Sequence, residues 1–159
     1  MAKKIGIGFL LLAVVFGAWY LLYSDQWLEN FNQERQEEAQ EYREKGLLAG
    51  QLTDQQGCQD QALANFNACR DSNFVCTVNQ GVFLKACYET ARKTEGFCDD
   101  LPAFNEKATE EEKDWAKYNC WDMDIRGEGC RLLLRQRLQL CHDQTSGGFL
   151  SDLELNRQD

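Results

Sequence analysis

Residues 58–87, CQDQALANFNACRDSNFVCTVNQGVFLKAC, decide the fold. The cysteines fall as C-x10-C-x6-C-x10-C. Eleven residues at about 100° each return to nearly the same helix face, three turns on. Cys58 with Cys69, and Cys76 with Cys87, therefore mark stripes on two helices. An odd step changes face in a strand, so the pattern has no β reading. Asp71, Ser72, Asn73 and Phe74 sit at the centre of symmetry, and the polar three suit turns and caps. In an antiparallel hairpin Cys69 faces Cys76 and Cys58 faces Cys87. Both pairs share one midpoint, so one register serves both.

The second half reads likewise. Thr109 with Glu112 resembles a capping box before Trp115, Ala116 and Tyr118. Gly127-Glu128-Gly129 is a turn before a helix from Cys130 to Cys141. Cys120 then faces Cys130. Cys141 returns to the start of the third helix, near Cys98, placed at the end of the second. Cys98–Cys141 with Cys120–Cys130 is one solution, and Cys98–Cys130 with Cys120–Cys141 is the alternative. An even cysteine count in a small domain of modest core is a disulfide framework, suited to an oxidising compartment.

Residues 58–87 resemble the coiled-coil-helix-coiled-coil-helix proteins, whose twin C-x9-C helices form doubly bridged hairpins. The resemblance implies the same topology and a structural role for Cys58, Cys69, Cys76 and Cys87. This chain departs in having ten intervening residues rather than nine.

Outward from the cysteines the chain changes character. Residues 5–23, IGIGFLLLAVVFGAWYLLY, carry no charge. As a helix they span roughly 28 Å, near the thickness of a bilayer core. Lys3 and Lys4 precede them, and Trp19, Tyr20, Tyr23 and Trp27 suit a headgroup layer. The expectation is a single transmembrane helix, with 1–4 as a short cytoplasmic end. Ala13 and Gly17 offer a small-residue pair for a homodimer. Residues 24–56 are expected to form an acidic helical stalk, its helix running from Asp25 to Lys45 and breaking near Gly46 and Gly50. Residues 57–143 are the disulfide-rich domain and 144–159 a C-terminal tail, whose Phe149, Leu150, Leu153 and Leu155 suit a short binding helix. The expected fold class is thus all-α: anchor, stalk and a stapled ectodomain of about four helices. The expected location is an inner membrane, with the ectodomain periplasmic. Secretion after signal cleavage and the mitochondrial intermembrane space are the alternatives.

With 159 residues, net charge −9 and a single His, the chain has little to offer phosphates or a multi-His metal site. It lacks C-x-x-C and C-x-x-C-H, the spacings of redox, zinc and haem sites. His142 beside Cys141 points about 100° away on a helix, which is poor geometry for a nucleophile pair. The acidic runs at 34–44, 99–100 and 110–114 read as solvated helix faces. Neither catalytic residues nor cofactor or metal ligands are expected. Candidate partner contacts are Trp115, Tyr118 and Trp121 around Cys120, and Arg131 with Arg135, one turn apart in an acidic chain. The expected function is a non-catalytic, membrane-anchored assembly or scaffold protein docking another membrane or periplasmic protein. A thiol relay or Cu(I)-binding protein is the second reading, and an inhibitor of an envelope-targeting enzyme the third.

Overall fold

The computed structural model describes residues 2–146, with side chains at 12, 13, 16, 17, 19 and 28–145. It contains α1 (Ala2–Leu52), α2 (Gln55–Ala68), α3 (Asn73–Thr90), α4 (Glu110–Asp122) and α5 (Glu128–Ser146). The chain divides into two compact units, the first ending at Glu38 and the second starting at Ala39. In the first, Arg35 pairs with Glu38 at 2.6 Å and lies over the Phe31 ring.

All four disulfides lie in the second unit: Cys58–Cys87, Cys69–Cys76, Cys98–Cys141 and Cys120–Cys130. The first two make α2 and α3 antiparallel, and the fourth does the same for α4 and α5. Side-chain caps fix the starts of α2, α3 and α4. The Asp54 carboxylate accepts from Gly57 N at 2.9 Å, and Ser72 Oγ accepts from Val75 N at 3.3 Å. Thr109 and Glu112 form the reciprocal capping box that their spacing predicts.

Helix α3 is the spine, packing on α2 and α5. A Cβ on Gly129 would meet Thr77 and Phe66, and one on Gly81 would meet Gln136. Those contacts climb α3 and α5 together, so the two helices run parallel. Leu63, Phe66, Phe83, Leu84, Leu133, Leu134 and Leu138 fill the interior. At the base, Gln55 N donates to Arg92 O at 3.0 Å and Arg92 N to Thr53 O at 3.2 Å, tying the α1–α2 junction to the end of α3.

Three expectations need correction. No helix among the described residues is long and apolar enough to cross a membrane. The apolar run has no helix of its own: it opens a 51-residue helix that continues without a break into the Gln- and Glu-rich stretch. Most side chains of 5–23 lie outside the described residues, as do Met1 and 147–159, with Phe149, Leu150, Leu153 and Leu155. The transmembrane anchor, the single-pass inner-membrane location and the membrane as partner are withdrawn.

The expected break at Gly46 and Gly50 does not occur, because α1 runs on to Leu52. These glycines instead let α1 sit directly on α3. A Cβ on Gly46 would stand 2.3 Å from Phe83 O, and one on Gly50 2.3 Å from Cys87 O. Residues 39–52 therefore belong to the stapled unit rather than to a stalk. Arg43 adds a paired contact to Glu89 at 3.0 and 2.9 Å, which raises its pKa. Finally, α3 ends at Thr90, so Cys98 lies in the α3–α4 connection and not on the helix.

Candidate functional site

Helix α4 divides its aromatic residues between interior and surface. Ala116 and Cys120 are buried and define the inward face. Trp115 is half-buried, packed against the core, and its carbonyl accepts from Asn119 Nδ2 at 2.8 Å. Tyr118 and Trp121 point outward, 54% and 57% exposed. Their rings meet edge to face at 5.6 Å. The Lys117 ammonium lies 4.6 Å from the Trp121 ring centroid and 5.4 Å from that of Tyr118. A cation over an aromatic face is attracted by the ring quadrupole, which holds the pair in place. Met123 follows, also exposed.

This patch sits on a braced turn. Asp124 has a left-handed backbone, φ 54°, and its N–H donates to Trp121 O at 2.9 Å. Ile125 N closes back on Cys120 O at 2.9 Å, and the Cys120–Cys130 bridge spans the whole turn. Beside Trp121 is an open cavity of about 460 Å³, lined by Trp121, Asp124, Ile125 and Arg126. Two large exposed aromatics and a methionine thus stand at the end of α4, beside a turn closed by a disulfide.

The two expected arginine contacts are engaged within the chain. Arg131 pairs with Glu128 one turn back, at 3.1 Å. Arg135 donates to the carbonyls of Asn105 and Glu106, and its guanidinium lies 4.9 Å from the Phe104 ring centroid. Neither joins the aromatic patch through a contact in the structure. His142 is exposed, its ring centroid 5.8 Å from that of Phe104.

The sequence marks Glu112 only as a cap, inside an acidic run expected to be solvated. It is 2% exposed. Its carboxylate accepts from Asn105 N at 2.6 Å and Thr109 N at 3.0 Å, with Arg135 Nε at 3.9 Å. Arg137 lies on α5 with Arg131 and Arg135 and is likewise engaged within the chain. It donates to Phe97 O at 2.9 Å and stacks over the Phe97 ring, and burial lowers its pKa. Together these groups fix the long α3–α4 connection, alongside the Cys98–Cys141 bridge and the backbone bonds of Arg92 to the α1–α2 junction.

All eight cysteines are in disulfides. No cluster of His, Cys, Asp and Glu able to hold a metal ion occurs among the described residues. No family model, curated protein or solved structure matches the chain.

Proposed function

We propose that the chain is a non-catalytic interaction module, an accessory or scaffold subunit that docks another protein through α4. The carrying observation is the exposed Tyr118–Trp121 pair, pinned by Lys117 above and by the Cys120–Cys130 turn below. A rigid aromatic anchor loses little conformational entropy on binding, which favours association over a mobile loop of equal area. Four bridges suit a chain working in an oxidising compartment. The reading is preferred to thiol or Cu(I) chemistry because every cysteine sulfur is already bonded. The hairpin resemblance supports it at the level of topology alone.

Amine-reactive crosslinking of the full chain in its native source tests this reading. Lys117 touches both rings, so a partner docked there yields crosslinked peptides from Lys117. Trp121→Ala should abolish them while thermal stability stays within about 0.5 kcal/mol, as for an exposed side chain. Crosslinks that persist in Trp121→Ala, or that never involve Lys117, would refute docking through α4.

A further inference from the structure

We infer that the groove between α3 and α5 receives an acidic amphipathic helix from a partner protein. Its floor is Val78 and Val82 of α3 and Leu132 of α5, and its volume is about 420 Å³. Val78 is 43% exposed and Leu132 45%, so the floor is open. One turn before Val78 on the same α3 face stands Phe74, also exposed. The stripe runs through Gly81, whose missing side chain leaves room between the two helices. A Cβ there would press on Gln136 Nε2 at 2.9 Å.

Charge selects the occupant. The groove is edged by Lys85 and Arg135 and has no carboxylate in its lining, although the chain carries 26 acidic residues against 17 basic ones. Arg135 is committed to the α3–α4 loop carbonyls and faces the Glu112 carboxylate at 3.9 Å, so the available charge is that of Lys85, which is exposed and engaged by no salt bridge among the described residues. Gln136 Oε1 is buried at the groove wall and accepts no hydrogen bond. From Val78 to Lys85, and from Leu132 to Gln139, the helices rise about 10 Å, or two turns. Two parallel helices with an apolar seam of that length accept a third helix, with anchors at i, i+3/i+4 and i+7. Acidic residues flanking those anchors would face Lys85.

The inference rests on the reading of the chain as an interaction module, yet it uses a different face from the α4 patch. It is tested with the full chain and a fluorescein-labelled Leu/Glu peptide, roughly 18 residues long with leucines at helical spacing. Saturable anisotropy that weakens with salt is expected. Lys85→Glu should weaken binding by about tenfold or more, and Lys85→Gln by less. Val78→Asp should abolish binding in protein that keeps its helical circular dichroism. Trp121→Ala should leave peptide binding unchanged, so this proposal and α4 docking can fail separately. Equal binding of a Leu/Lys peptide, or insensitivity to both Lys85 variants, would overturn the proposal. If the peptide binds only after 147–159 are deleted, the chain's own segment occupies the groove and a partner helix is excluded.

Discussion

Gly50 of α1 lies so close to Cys87 of α3 that a Cβ on the glycine would stand 2.3 Å from the Cys87 carbonyl oxygen. Gly46, one turn earlier, makes the same approach to Phe83. Thr90 Oγ1 completes the seam by donating to Leu47 O at 2.8 Å. The contact is therefore backbone against backbone, and no side chain fits within it. Gly50→Leu should force the helices apart and cost about 1–3 kcal/mol, as overpacking does. Gly50→Ala recovers part of that loss, since alanine favours a helix by about 1 kcal/mol over glycine. Gly17, with nothing within 4 Å, is the control. Thermal unfolding should show a lowered Tm for Gly50→Leu and none for Gly17→Ala.

Glu112 is expected to hold the α3–α4 connection as much as it caps α4. Glu112→Ala leaves the amides of Asn105 and Thr109 without their acceptor and removes the carboxylate beside Arg135. A buried network broken on one side costs about 3 kcal/mol. Glu112→Gln keeps one acceptor oxygen and should cost less. Urea denaturation gives the energies. Hydrogen exchange should show the Asn105 and Thr109 amides accelerated in Glu112→Ala well beyond any change at Leu133. Uniform acceleration across the domain would mean that Glu112 supports only global stability.

What could be read from the sequence follows from how local each cause is. The cysteine spacing was informative because a disulfide between helices must obey the 3.6-residue repeat, so Cys58, Cys69, Cys76 and Cys87 carry their own geometry. The capping box at Thr109 and Glu112 is equally local. Gly46 and Gly50 have low helix propensity, which predicts a break, but their small size is what the close approach to α3 uses. The GLLAG spacing, two glycines one turn apart, was the signal that could have revealed a close helix crossing. Glu112 and Arg135 were opaque for another reason. Their partners lie in an irregular loop, Arg135 reaching carbonyls 29 and 30 residues away, where no periodicity points. Residues 5–23 carry no charge, yet no helix among the described residues is long and apolar enough to cross a membrane, and most of their side chains lie outside the described residues.

The four bridges should not contribute equally. In the chain-entropy account a disulfide stabilises by limiting the unfolded chain, and more so for longer loops. Cys98–Cys141 closes 43 residues of separation and Cys58–Cys87 closes 29. Cys120–Cys130 closes 10 and Cys69–Cys76 only 7. The formula gives about 4.0, 3.6, 2.7 and 2.4 kcal/mol in that order. Paired Cys→Ser variants, unfolded in guanidinium, should follow the same ranking. A Cys69/Cys76 variant less stable than the Cys98/Cys141 variant would show that packing, not loop closure, dominates at the turns.

Tyr88 predicts the alkaline limit of stability. Its side chain is buried, and its hydroxyl donates to Gln59 Oε1 at 2.5 Å. Its ring meets Phe97 edge to face at 5.9 Å. Burial raises its pKa above the ordinary tyrosine range; nearby Arg137 opposes the shift and Asp60 adds to it. The folded protein therefore keeps a proton that the unfolded chain releases near pH 10. Stability from this group is complete below that pH and declines above it, by about 1.4 kcal/mol per pH unit. Tyr88→Phe removes the slope, and it also leaves Gln59, already lacking a partner for Nε2, without its hydroxyl donor. That should lower stability at pH 7 by about 1–3 kcal/mol. Urea unfolding between pH 8 and pH 11 separates the two effects, pH values chosen to bracket the free tyrosine pKa of about 10. A slope above pH 10 that survives in Tyr88→Phe would assign the alkaline loss to other groups.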